Sequence, residues 1–213
     1  MIPTSIIDNF FETPELIRDY ALSLEFSKPN GNYPGVRTNP ISDINNQLFN
    51  LILKKIHNTF FGSNDKIGIS CESYFQLIDS SFEGGWFHQD SNDYHIAGVV
   101  YLNSDAPLNG GTIIGQNVKN VDIEKYKFRD DFYKNKVIDL TSYKQIKDEF
   151  NNSFDETLIV NNIFNRALIY DAKKFHRENQ FFGKTKEDSR LTLIFFIRFV
   201  MENSFPPMIR FGL

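Results

Sequence analysis

The chain of 213 residues, with 41% hydrophobic and 23% charged residues, has the size and composition of one globular domain, which excludes wholesale disorder. Its formal net charge of -4 disfavours a general nucleic-acid-binding surface, and the single cysteine, Cys71, excludes a thiolate-rich metal site and an intramolecular disulfide. Because no apolar run reaches the roughly 20 residues of a membrane-spanning helix, and the first residues lack the pattern of a secretory signal, we expect a cytoplasmic protein.

Two helices are predicted in residues 1–66. Thr13 and Pro14 are typical of a helix start, with threonine as N-cap and proline at the first helical position. A second helix is predicted from Ser42 to about Phe60, since its apolar residues recur at helical spacing. We expect residues 1–66 to form a helical support that packs on one face of a sheet.

From residue 67 the pattern changes to short segments rich in β-branched and aromatic residues, separated by turn-forming residues. The predicted strands are residues 67–79, 86–89, 95–103, 111–115, 157–160, 166–171 and 190–201. Helices followed by this series of strands predict an α+β fold, mainly β, whose core is a double-stranded β-helix, or jelly-roll, with two facing sheets. We assign this core to residues 67–115 and 157–201.

Residues 116–156 interrupt the strands with a polar, charged segment that contains one predicted helix at 141–150. We interpret this segment as an insertion within one domain that spans residues 1–213. Two interpretations of the insertion stay open. It is either a solvated excursion with no role, or a lid or substrate-recognition element beside a site.

The first chemical signal is His88-Gln89-Asp90. Residues two apart on a strand point to the same side of the backbone, so the imidazole of His88 and the carboxylate of Asp90 face one way. His176, which follows the apolar segment 167–170, supplies a second imidazole. Two imidazoles and one carboxylate on an octahedral iron(II) leave three open positions, as an oxygenase needs for an oxo acid and oxygen. These three residues are the predicted metal ligands and catalytic centre.

Arg190 begins the apolar segment 191–197 and is predicted to point into the barrel. A buried arginine needs an anionic partner to offset its desolvation, and its planar fork binds both oxygens of a carboxylate. Thr192 lies two residues further and therefore on the same face, where its hydroxyl can bind the same carboxylate. Arg190 and Thr192 are the predicted binding residues for a carboxylate cosubstrate.

Four sequence motifs follow one another within roughly residues 70–200. They are His88-x-Asp90, Val99-Val100-Tyr101-Leu102-Asn103 running into Gly110-Gly111-Thr112, His176, and Arg190-x-Thr192. Together they resemble the superfamily of 2-oxoglutarate- and iron(II)-dependent oxygenases, and within it the prolyl-4-hydroxylase-type branch. The start of the chain, through Tyr33-Pro34-Gly35-Val36-Arg37, resembles an uncharacterised group of that superfamily. Two features depart from the branch: the spacing from Gly111 to His176 is long, and many hydroxylases carry lysine in place of Arg190.

The resemblance implies a dioxygenase that uses Fe(II), 2-oxoglutarate and O2 and releases succinate and CO2. Hydroxylation of a protein side chain, an amino acid or a small metabolite is the simplest outcome, with no nucleic-acid or membrane partner. By the same resemblance, Tyr101 matches a position where hydroxylases place a tyrosine hydroxyl against the cosubstrate, and Tyr74 is a further candidate for that role. Arg37, beside a Pro-Gly turn, either reaches the mouth of the site or lies on the surface.

Each motif also has an interpretation without chemistry. His88 and Asp90 can form a hydrogen-bonded pair at a strand end, and Arg190 can form an ion pair with Asp171 or Asp188. For the whole protein, one alternative is a catalytically silent jelly-roll that binds a ligand. The other is a cupin-type hydrolase or isomerase that uses a different divalent metal and does not need Arg190.

Overall fold

The computed structural model describes residues 2–28, 31–61, 68–119, 122, 124–135 and 139–199, in which the chain forms five α-helices and nine β-strands. The helices are α1 (Pro14–Ser23), α2 (Ile41–Ile44), α3 (Asn46–Phe61), α4 (Glu124–Asn135) and α5 (Leu140–Asn151). The strands are β1 (Ser5–Ile7), β2 (Val36–Arg37), β3 (Ile69–Ile78), β4 (Ile96–Tyr101), β5 (Thr112–Asn117), β6 (Phe154–Val160), β7 (Ala167–Asp171), β8 (Phe175–Glu178) and β9 (Arg190–Phe199).

The strands form two antiparallel sheets. The larger sheet has the order β1-β7-β4-β9-β3-β2, and the smaller has the order β6-β5-β8. Apolar side chains of both sheets pack together between them, among them Val99, Leu168 and Ile194 of the larger sheet and Ile114 and Val160 of the smaller. This arrangement confirms the predicted fold class, a mainly β protein with a jelly-roll core and flanking N-terminal helices.

The N-terminal helices cover the outer face of the larger sheet. Ile52 and Ile56 of α3 belong to one buried cluster with Leu193 and Phe195 of β9, whereas Ile194 belongs to the cluster between the sheets. This alternation is the period of two expected for a strand with both faces buried. No helix in the described part of the chain is long and apolar enough to cross a membrane.

The predicted second helix is divided into α2 and α3 by Asn45, whose backbone (φ -155°, ψ 86°) is not helical. The Asn45 side chain accepts a hydrogen bond from the Leu48 amide at 3.0 Å, as a capping residue does at a helix start. Thr13 stands at the N-cap of α1, as predicted, but its side chain makes no capping hydrogen bond. The end of the predicted last strand, residues 200–201, lies outside the described residues.

The insertion packs against the jelly-roll through aromatic side chains. Phe132 of α4 stacks on Tyr143 of α5 with 3.6 Å between the ring centroids, and both rings are buried. The indole of Trp86 donates a hydrogen bond to the Tyr143 hydroxyl at 2.7 Å. The side-chain oxygen of Asn151 accepts a hydrogen bond from the Phe87 amide at 3.0 Å. The insertion therefore fixes the backbone just before His88, although its role as a lid stays a prediction.

One predicted strand is wrong, and three strands, β1, β2 and β8, were not predicted. Residues 86–89 form no strand, because only His88 pairs, through a single isolated bridge to His176. His176 lies on β8, a strand of four residues that pairs with β5. Since β8 is short and half charged, its sequence lacks the apolar alternation that marks a strand.

Candidate metal centre and cavity

Two neighbouring backbone segments bring His88, Asp90 and His176 together. The His88 amide donates to the His176 carbonyl at 2.9 Å and the reverse bond has the same length, while the Asp90 amide donates to the Ala172 carbonyl at 3.0 Å. One potential ligand atom from each of the three side chains lies within 4.8 Å of the others. The Nε2 atom of His176 is 3.7 Å from Oδ2 of Asp90. The three predicted ligands can therefore reach one metal ion.

Hydrogen bonds to backbone carbonyls orient both imidazoles. Nδ1 of His88 lies 2.8 Å from the carbonyl oxygen of Trp86, and Nδ1 of His176 lies 3.0 Å from that of Lys174. A carbonyl only accepts, so each Nδ1 carries a proton, and in a neutral imidazole this leaves the lone pair on Nε2. Metal-binding histidines are held in this way by their second nitrogen.

The electrostatic surroundings of the three side chains also fit a cation. Burial lowers the pKa of His88 to about 3; His176 and Arg129 act in the same direction, and Asp90 opposes them. His88 is therefore neutral, which is the form that binds a metal. Oδ2 of Asp90 is buried and has no hydrogen-bond partner among the described residues. Because an unpaired buried carboxylate oxygen is costly, this atom is suited to a metal ion.

The three side chains line a cavity of about 620 Å³ between the two sheets, and Arg190 lines it as well. The guanidinium of Arg190 is buried, donates from Nε to the Gly110 carbonyl at 2.9 Å, and lies 5.6 Å from the centroid of the Tyr101 ring. Within the described residues, no carboxylate lies within 4.0 Å of it. Asp171 and Asp188 instead accept hydrogen bonds from backbone amides. Arg190 therefore forms no ion pair with Asp171 or Asp188, in contrast to the interpretation without chemistry.

Thr192 and Tyr101 lie beside Arg190 in the wall of the barrel. The two residues are partners in the β4–β9 pairing, so their side chains share the inner face of the sheet. The Tyr101 hydroxyl donates to Oγ1 of Thr112 at 2.8 Å, and burial raises the pKa of Tyr101. Oγ1 of Thr192 is buried and has no partner in the described part of the chain. The structure thus places Tyr101 and Thr192 beside Arg190, which lines the cavity.

Tyr74 is not brought to that end. Its hydroxyl lies 3.4 Å from the carboxylate of Glu72, and its partner in β9 is Ile194, four residues after Arg190. The position opposite Thr192 on β3 belongs to Gln76, which lines the cavity and donates to the Pro34 carbonyl at 2.9 Å. A glutamine within an apolar strand segment was the sequence signal for this residue.

Several cavity residues were not predicted from the sequence. Glu178 follows His176 by two positions on β8 and so shares its inward face, opposite Thr112 of β5. Arg129 and Tyr133 reach the cavity from α4 of the insertion. Glu178 could have been found only if β8 had been predicted. No local pattern in the charged insertion marks Arg129 or Tyr133 as cavity residues.

The fold is shared with solved structures of low sequence identity. HygX from Streptomyces hygroscopicus, solved with nickel and 2-oxoglutarate, is 11% identical with a TM-score of 0.54 over 92% of this chain and 82% of that one. HygX with nickel, 2-oxoglutarate and hygromycin B is 12% identical with a TM-score of 0.55 over the same shares, 92% and 82%. A prolyl hydroxylase from Trichoplax adhaerens, in complex with a hypoxia inducible factor oxygen degradation domain peptide fragment, is 14% identical with a TM-score of 0.51, covering 92% and 83%. At such identities the similarity establishes a common fold.

The sequence comparisons give a family without an assigned activity. No curated protein matches the chain significantly. Residues 2–197 match the family described as a family of unknown function, DUF6445. Since this match spans nearly the whole chain and includes both sheets and the cavity, the protein belongs to the DUF6445 family.

Proposed function

We propose that this protein is an iron(II)- and 2-oxoglutarate-dependent dioxygenase of the hydroxylase type. In this proposal His88, Asp90 and His176 bind the metal. Arg190 binds the carboxylate of 2-oxoglutarate that lies away from the metal. One observation carries the proposal: a three-donor group and a buried arginine, which has no carboxylate partner among the described residues, line the same cavity. The fold shared with HygX, which was solved with nickel and 2-oxoglutarate bound, supports it.

The metal and its cosubstrate would supply the oxidation. When they are bound, one oxygen atom of O2 enters a substrate C–H bond and the other enters succinate, as 2-oxoglutarate loses CO2. The protein side chains position these groups. The Trp86 and Lys174 carbonyls hold the two imidazoles with Nε2 toward the centre, and Asp90 supplies the negative charge that offsets a divalent cation.

The far end of the cosubstrate would lie against Arg190 and Thr192. The Arg190 guanidinium is fixed by the Gly110 carbonyl and uses its remaining N–H groups for the carboxylate. The buried Thr192 hydroxyl has no partner in the described residues and would donate to the same carboxylate. Tyr101, already bonded to Thr112, would support this end, whereas the position of Tyr74 beside Glu72 does not favour the role first predicted for it.

Calorimetric titration of 2-oxoglutarate under anaerobic conditions tests the proposal against its alternatives. We expect 2-oxoglutarate to bind the iron(II)-loaded protein and to bind far more weakly after the metal is removed by a chelator. His176→Ala should behave like the metal-free protein. A silent ligand-binding jelly-roll would bind equally well without metal, and a cupin-type enzyme with another metal would not bind 2-oxoglutarate, so either result would reject the proposal.

A further inference from the structure

A second arginine, Arg37, lies in the wall of the same cavity. Its guanidinium carbon is 3.6 Å from the centroid of the Tyr33 ring, 5.7 Å from that of Tyr74 and 6.0 Å from that of Phe196. Nε of Arg37 is buried and makes no hydrogen bond with the described residues. The side chain is therefore held by aromatic rings, with its charge toward the cavity.

The strand pairing explains why Arg37 points inward. Arg37 is the partner of Gln76 in the β2–β3 pairing, and Gln76 is in turn the partner of Thr192 in the β3–β9 pairing. Directly paired residues of antiparallel strands place their side chains on the same face. Arg37 therefore shares the inner face of the larger sheet with Gln76, which also lines the cavity.

In the described part of the chain, the charge of Arg37 has no carboxylate partner at contact distance. None of the carboxylates in the described residues lies within 4.0 Å of its guanidinium. Burial lowers the pKa of Arg37, and more distant groups, including Glu178 and Asp90, oppose that effect. Because arginine stays protonated in proteins, a partly desolvated charge remains without a counter-ion, which is costly unless a ligand supplies one.

Arg37 and Arg190 enter the cavity from different strands of the larger sheet. Arg190 contacts Gly110 and Tyr101, on the β4 side of β9. Arg37 comes from the opposite side, on β2, two strands away from β9, which is about 10 Å between backbones. In the proposed function, the metal and Arg190 already use both carboxylates of 2-oxoglutarate. Arg37 is then left for a different anion.

We propose that Arg37 binds a carboxylate of the primary substrate, so that the enzyme acts on a carboxylate-bearing compound. This inference rests on the proposed function, which assigns the other arginine to 2-oxoglutarate. The ring of Tyr33 covers one face of the guanidinium, and the exposed edge matches the two oxygens of a carboxylate. Glu178 lies close enough to act on Arg37, and its charge penalises a phosphate dianion more than a singly charged carboxylate.

The wall around Arg37 is formed by two segments that contact each other. Asn32 donates to the carboxylate of Asp130 on α4 at 3.3 Å, and Lys28 donates to the carbonyl of Tyr133. Asn32 and Tyr133 both line the cavity, so the insertion and the segment before β2 form one continuous wall. The carboxylate could belong to a free small molecule or to a peptide, and the test includes both sources.

Saturation-transfer NMR on the iron(II)- and 2-oxoglutarate-loaded protein, kept anaerobic, measures binding without turnover. The probes are phenylacetate, its neutral amide, phenyl phosphate, and an acetylated phenylalanyl-glycine with a free or an amidated C-terminus. We expect at least one carboxylate probe to bind, its amide to bind at least about tenfold more weakly, and Arg37→Gln to weaken the carboxylate by about ten- to a hundredfold. Preference for phenylacetate would identify a small-molecule substrate, and preference for the free peptide a peptide substrate.

Controls separate this inference from the proposed function. Arg198→Gln removes a charge that is ion-paired with Glu72 at 3.0 Å and does not line the cavity, so it should leave probe binding unchanged. Arg37→Gln should bind 2-oxoglutarate as the wild type does, whereas failure of the wild type to bind 2-oxoglutarate would reject the proposed function instead. Equal binding of acid and amide to the wild type, tighter binding of phenyl phosphate, or no binding of any carboxylate probe would overturn the inference even if Arg37→Gln failed to fold.

Discussion

Replacing His176 by alanine should abolish the stabilisation of the fold by a divalent metal. A ligand that binds only the folded state stabilises it by about 2.7 kcal/mol when its free concentration is 100 times the dissociation constant. For a chain of 213 residues this raises the melting temperature by about 5 to 11 °C. The potential ligand atoms of His88, Asp90 and His176 lie within 4.8 Å of one another. Removing one of these three donors should therefore remove most of the rise in melting temperature.

Differential scanning fluorimetry with and without iron(II), under anaerobic conditions, measures this difference directly. Because the substitution can lower the baseline stability by itself, only the metal-dependent shift of each variant is compared. His57→Ala is the matched control, since His57 lies on α3 and does not line the cavity. The centroid of its ring is 5.3 Å from that of Phe61. A full metal shift in His176→Ala, or its loss in His57→Ala, would refute the assignment of the three ligands.

Three further results are expected. Arg190→Gln should weaken 2-oxoglutarate binding by about ten- to a hundredfold in calorimetry. Arg177→Gln, which removes an ion pair with Glu156 outside the cavity, should leave this binding unchanged. Equal losses of affinity in the two variants would contradict the role of Arg190. Phe132→Ala should lower the free energy of unfolding in urea by about 3 to 5 kcal/mol, because the ring is buried against Tyr143. Leu140→Ala, at an exposed side chain, should lower it by less than about 0.5 kcal/mol. A small effect at Phe132 would show that the insertion is not part of the core. Burial raises the pKa of Cys71 from 9.0 to about 12, which lowers its thiolate fraction at pH 8 about a thousandfold. Ellman's reagent should therefore react slowly with Cys71 until urea unfolds the protein. A fast reaction with the native protein would count against the packing of β3.

The fold could be predicted from the sequence because its elements carry strong local patterns. The apolar residues of α3 recur at helical spacing, and β9 alternates between two buried faces, so both follow from the chain itself. The same reasoning failed for β8, whose four residues include an arginine and a glutamate and only one apolar side chain. Its strand geometry depends on pairing with β5, which is a tertiary contact.

The sequence predicted the three residues that the structure brings together as possible metal ligands, but it did not predict the wall of the cavity around Arg37. His88, Asp90 and His176 were proposed from residue type and order along the chain, and their role as ligands stays a prediction. The inward position of Arg37 depends on the register of β2 against β3, which no local pattern encodes. The insertion was predicted from its charge to be polar, yet α4 and α5 bury aromatic residues such as Phe132 and Tyr143 among those charges. Long-range packing therefore decides which residues surround the proposed substrate.

Anaerobic addition of iron(II) to the protein with 2-oxoglutarate tests the central claim most directly, because chelation of iron by an oxo acid gives a weak visible charge-transfer band. We expect the band in the wild type, a weaker band in Arg190→Ala at the same 2-oxoglutarate concentration, and none in His176→Ala. If the wild-type protein were folded and retained iron but gave no band, the three side chains and Arg190 would not form an oxygenase site.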